Sequence, residues 1–77
     1  MAMTQIDHGY NARIHGDHGA ATVTVNFRDR SFTVHERTTN GWRVDSVAYW
    51  PMDGGVDAID SARQQAVFDA QTICRGG

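Results

Sequence analysis

Between residues 10 and 50 apolar and polar side chains alternate with a period of two, the mark of strands whose successive side chains point to opposite faces. Three turn signals interrupt the alternation. Gly16-Asp17-His18-Gly19 is a four-residue loop, and Asp29-Arg30 separates Phe27 from Phe32. Asn40-Gly41 is the strongest hairpin signal, because a type I′ turn needs positive φ at both central residues. The pattern predicts four strands, at about 10–15, 20–28, 31–39 and 42–50.

The turns also predict registers. Two-residue turns at Asn40-Gly41 and Asp29-Arg30 set Val34 opposite Val47 and Val25, and Phe32 opposite Tyr49 and Phe27. Closing His15 on Ala20 sets Ile14, Ala12 and Tyr10 opposite Ala21, Val23 and Val25. All three registers gather one set on one side: Tyr10, Ala12, Ile14, Ala21, Val23, Val25, Phe27, Phe32, Val34, Val47 and Tyr49. Asp29-Arg30 is the weakest of the three turns, since it lacks glycine or asparagine.

After Pro51, which cannot donate to a ladder, the period changes. Asp53-Gly54-Gly55 breaks the chain and a helix follows over about 56–74. Val56, Ile59, Ala62, Ala66, Val67, Ala70, Ile73 and Cys74 form its apolar arc. The expected fold is α+β, a four-stranded antiparallel meander with one C-terminal helix packed on one face. Residues 1–77 form a single domain, with a loose leader at 1–8, the sheet at 10–50 and the helix at 56–74.

Composition narrows the functional classes. The seven basic residues are all arginine, eight of the nine acids are aspartate, and leucine is absent, so the core rests on Val, Ile, Ala and aromatics. The net charge of −2 argues against a general nucleic-acid coat protein. No run approaches the roughly 18 apolar residues of a membrane span. Met1–Asp7 shows no signal-peptide pattern, and a cytoplasmic location is expected. Cys74 is the single cysteine, which excludes an internal disulfide.

The side of the sheet away from the helix is expected to carry Asn11, Arg13, His15, Thr22, Thr24, Asn26, Arg28, Ser31, Thr33, His35, Arg37 and Thr39. Trp42, Val44, Ser46, Ala48 and Trp50 complete it. It holds cations and no acid, whereas Asp53, Asp57, Asp60 and Asp69 lie on or near the helix. A solvated sheet face accounts for Thr and Arg but not for two tryptophans on an edge strand. Phe68 is a second anomaly, placed by the helical wheel among Asp57, Ser61, Gln64 and Gln71 on the solvent side.

Catalytic and metal chemistry finds little support. His15 and His18 have ligand-like spacing but no further Cys or His pair completes a tetrahedral set. Glu36 and Asp45 face each other in the expected register, with Arg43 nearby as a partner. Cys74 reads as a small core residue, and Ser31, Ser46 and Ser61 lack a nucleophile-elbow context. Anion binding at Gly54-Gly55 is opposed by Asp53 and Asp57. A binding protein without cofactor or metal is therefore expected, not an enzyme.

Two binding surfaces compete. A protein partner would dock on Asp53, Asp57, Asp60, Gln64, Phe68 and Asp69, on the Trp42 and Trp50 edge, or on both. A nucleic acid would lie on the open face, with Arg13, Arg28 and Arg37 on phosphates, His35 beside them and a tryptophan stacking a base. A homodimer joined through strand 42–50 is the third reading. The sheet-plus-helix pattern and the charged surface of Asp53, Asp57, Asp60 and Asp69 resemble the small phage and mobile-element proteins, including anti-CRISPR inhibitors. The resemblance implies an inhibitor that occupies a surface of a bacterial nucleic-acid-handling complex, such as a CRISPR effector or another DNA-binding assembly. It covers general architecture and includes no diagnostic motif, and a net charge of −2 is weak for a nucleic-acid mimic.

Overall fold

The structure, a computed structural model, describes residues 11–76; the expected leader and Tyr10 lie outside the described residues. The strands are β1 (Asn11–Gly16), β2 (Gly19–Asn26), β3 (Ser31–Thr38) and β4 (Gly41–Tyr49), followed by helix α1 (Gly55–Cys74). They form one antiparallel sheet in the order β1-β2-β3-β4, with α1 across one face. The α+β architecture is the expected one.

Small side chains explain how the helix lies so near the sheet. Ala62, Ala66, Ala70 and Cys74, four apart and all buried, form a single row along α1. Beneath the helix lie the fully buried Val23, Phe32 and Val34. Ile14, Ala48, Ala58, Ile59, Val67 and Ile73 close the flanks. Val56 is a correction to the expected arc: it sits in the first helical turn and is exposed. At the other end the His18 amide donates to the Cys74 carbonyl at 3.2 Å, tying the β1–β2 hairpin to the end of α1. No helix among the described residues is long and apolar enough to cross a membrane.

The first register is as expected, with Ile14 opposite Ala21 and His15 opposite Ala20. The second is shifted by two, so that Val25 faces Phe32 and Val23 faces Val34. The connection is therefore four residues long, Phe27 to Arg30, rather than the dipeptide Asp29-Arg30. Asn26 organises it: its Oδ1 accepts from the amides of Arg28 (3.0 Å) and Asp29 (3.1 Å), and its Nδ2 donates to Asp29 Oδ2 at 3.1 Å. Arg30 takes the left-handed position, φ +56°, that glycine usually fills. Phe27 leaves the expected core set for this loop, where it packs edge-on against Trp50 at 5.8 Å. A shift of two preserves faces, so the inward residues of β2 and β3 are otherwise unchanged.

The third register is corrected more deeply. The turn dipeptide is Thr39-Asn40, with Thr38 paired to Gly41, and Gly41 alone supplies positive φ. Thr38 Oγ1 accepts from the Asn40 amide and donates to the Gly41 carbonyl, which holds the turn one step earlier than expected. His35 then faces Val44, but Val34 faces Ser46, leaving Asp45 as an extra residue in a bulge. One extra residue reverses every side chain beyond it. Ser46, Ala48 and Trp50, expected on the open face, turn toward the helix, and Val47 and Tyr49, expected in the core, turn outward. Trp50 is only 6% exposed, with its ring 5.3 Å from Phe32 and its amide donating to the Arg30 carbonyl. Ser31, also expected on the open face, is buried.

Candidate binding surfaces

The open face of the sheet is built by the registers. Arg13 pairs with Thr22, Thr22 with His35 and His35 with Val44, giving one row across all four strands. The two-residue shift between β2 and β3 moves His35 into this row, whereas the expected register set it near Asn11. In the next row Arg37 pairs with Trp42. The Arg13 guanidinium carbon lies 5.2 Å from the Trp42 ring centroid and that of Arg37 lies 5.7 Å away, so one indole carries two cations. Asn11, Thr22, Thr24 and His35 line the shallow concavity beside them. The ion pairs among the described residues lie elsewhere, Arg43 with Glu36 at 2.7 Å and Arg63 with Asp60.

The β4 side of the same face is apolar. Trp42 (38% exposed), Val44 (55%), Val47 (38%) and Tyr49 (69%) follow one another along an edge strand with no strand among the described residues on its outer side. Sequence reasoning placed Trp42 and Val44 here and missed Val47 and Tyr49, because the bulge that turns them outward leaves no residue signature in β4. Trp50, expected as the second aromatic of this edge, is buried instead. Arg28 is exposed in the β2–β3 turn, at the opposite end of the sheet from Trp42, and does not join Arg13 and Arg37.

The helix side is less uniform than its sequence suggested. Phe68 is 57% exposed, and Asp53, Asp57 and Gln64 are exposed as well. At about 100° per residue Asp60 and Asp69 fall on opposite flanks of α1. Asp69 turns toward β4, accepting from Ser46 Oγ at 3.2 Å and from Gln65 Nε2 at 3.0 Å. Asp60 accepts from Arg63 and, at 2.6 Å, from Gln64 Nε2. The acids therefore do not form one row.

The Asp60 carboxyl is held below the usual aspartate range, chiefly by the hydrogen bond from Arg63. Partial desolvation opposes this, and the Gln64 hydrogen bond and the charge of Arg63 reinforce it. A folded pKa below the unfolded one means stability that is present above the ordinary aspartate pKa and lost as pH falls through the lowered value. Following carboxyl carbon shifts with pH by NMR should show Asp60 titrating below the aspartate norm. In Arg63→Ala the titration should move back up.

The candidate chemical groups are placed as follows. Cys74 is buried, its Sγ 3.2 Å from the Ile14 carbonyl oxygen. Glu36 pairs with Arg43 and no longer opposes Asp45, which sits in the bulge. The His18 ring lies against Gly76. Among the described residues no three His, Cys, Asp or Glu side chains come together in a metal-binding group.

No family model, curated protein or solved structure matches the chain.

Proposed function

We propose that this is a non-enzymatic binding protein that docks on a protein partner through the outer face of β4. The observation that carries the reading is the run of Trp42, Val44, Val47 and Tyr49, exposed together on one face of an edge strand. Scattered exposed apolar residues are ordinary, but a contiguous aromatic and aliphatic row is the composition of an interface centre. The bulge at Asp45 supports a different partner over a second copy, because a bulged edge twists away from strand-to-strand pairing. The resemblance to small phage and mobile-element inhibitors suggests the finer reading: the partner is a nucleic-acid-handling complex in the cytoplasm of a bacterial host, and the protein blocks one of its surfaces. Phe68, exposed beside Asp57, Asp60 and Gln64, supports a second contact from the helix.

Affinity capture from a nuclease-treated bacterial lysate tests this. The wild-type chain should retain a defined protein partner. Val44→Arg/Val47→Arg should lose at least tenfold of it while keeping the wild-type circular dichroism. Capture that vanishes with nuclease removes the protein-docking reading. Capture lost in Asp57→Asn/Phe68→Ala, and kept in the β4 variant, transfers it to the helix.

A further inference from the structure

We propose that the cationic half of the open face, Arg13, Arg37 and Trp42, binds the phosphodiester backbone of single-stranded nucleic acid. The inference goes beyond the protein-docking reading and is argued from the arginines, although both surfaces share Trp42. Two guanidinium groups rest against one indole ring, which gathers two positive charges at one place on the open face. Neither is compensated by a carboxylate among the described residues, whose acids in ion pairs are Glu36 and Asp60. Every charged side chain that the registers place on this face is basic, which leaves a positive field over a concavity lined by Asn11, Thr22, Thr24 and His35. Phosphate groups of one strand can pair with Arg13 and Arg37, and neutral hydroxyl and amide groups beside them offer hydrogen bonds to the phosphate oxygens. Stacking on Trp42 holds both guanidinium groups in place, so less freedom is lost when they engage a phosphate.

Trp42 decides between kinds of anion. The residue is 38% exposed beside the two cations, and Tyr49 is exposed farther along the same strand. An aromatic ring on a sheet offers stacking to an unpaired base, whereas the bases of a duplex already stack on each other. A carboxylate-bearing peptide would satisfy the arginines but brings no planar base to the exposed part of the indole. Single-stranded nucleic acid uses both features.

The test is fluorescence anisotropy of a dye-labelled 15-residue oligothymidine titrated with the full chain across a range of NaCl concentrations. Unlabelled duplex DNA of the same length and polyglutamate of equal charge serve as competitors. The expected result is binding that weakens with salt. Arg13→Gln/Arg37→Gln should weaken it about tenfold or more and flatten the log–log salt slope by about 1.4, the value for two phosphate contacts on a single strand. Trp42→Leu should weaken it by about tenfold with the salt slope retained, as for loss of one stacked base. Circular dichroism must show both variants folded. Absence of binding by the wild-type chain, or binding equal to wild type in either folded variant, overturns the proposal. Equal displacement by duplex or by polyglutamate also overturns it, the latter in favour of an acidic protein segment. Nuclease-resistant protein capture reads the docking surface separately, so the two proposals fail independently.

Discussion

Replacing Phe32 by alanine lowers the free energy of unfolding by about 3–5 kcal/mol, the cost of a large aromatic removed from a tight core. Phe32 is 2% exposed, stands between its cross-strand partners Val25 and Ala48 and holds the Trp50 ring at 5.3 Å. The cavity it leaves cannot close by settling of the helix. The facing row is Ala62, Ala66 and Ala70, all buried, with no long side chain to swing into the space. At about 0.05–0.15 kcal/mol per residue, the whole fold holds only about 4–12 kcal/mol, so the substitution removes at least about a quarter of it. Urea denaturation measures the loss, and near-ultraviolet circular dichroism should show the Trp50 signal weakened in whatever remains folded. A loss below about 1 kcal/mol would mean that Phe32 is not the centre of the core.

Gly16→Ala has the second large effect, and it acts where the hairpin meets the helix end. A Cβ on Gly16 would lie 2.7 Å from both Cys74 Cβ and the Cys74 carbonyl oxygen. Carbon atoms in contact ordinarily stay about 3.5–4.0 Å apart, and neither obstacle is the movable end of a long side chain. Either the β1–β2 hairpin lifts or the last turn of α1 unwinds. Both outcomes break the His18 amide bond to the Cys74 carbonyl and separate Cys74 Sγ from the Ile14 carbonyl. The expected cost is about 1–3 kcal/mol, that of overpacking a close contact. Hydrogen exchange locates it: the His18 amide and the last amides of α1 should lose protection, while the amides between β2 and β3 keep theirs. Uniform loss across the molecule would show that the hairpin and the helix end do not meet as described.

The candidate surfaces separate along the same line as the core. Arg13 and Arg37 were legible as outward residues because they stand on strands whose parity never changes, and the structure adds that both rest on Trp42. His35 was legible as outward but not as a neighbour of the Arg13 row, since that depended on the length of the Phe27–Arg30 loop. Asp69 was legible as a helix acid, but its bond to Ser46 exists only because the bulge turns Ser46 inward.

Local chemistry alone was enough for four strands, one helix, their order and, Phe27 and Ser31 apart, the inward residues of β1 to β3 among the described residues. Alternation, glycine punctuation and helical spacing are properties of neighbours along the chain. What required the folded molecule was the fate of β4 beyond Asp45. A bulge is set by the competition between side chains for one interior, and here Trp50 and Ala48 fill the space beside Phe32 while Tyr49 and Val47 are turned out. No residue in β4 announces that outcome, because a period-two pattern reads equally well in either phase until the helix and the neighbouring strands choose one.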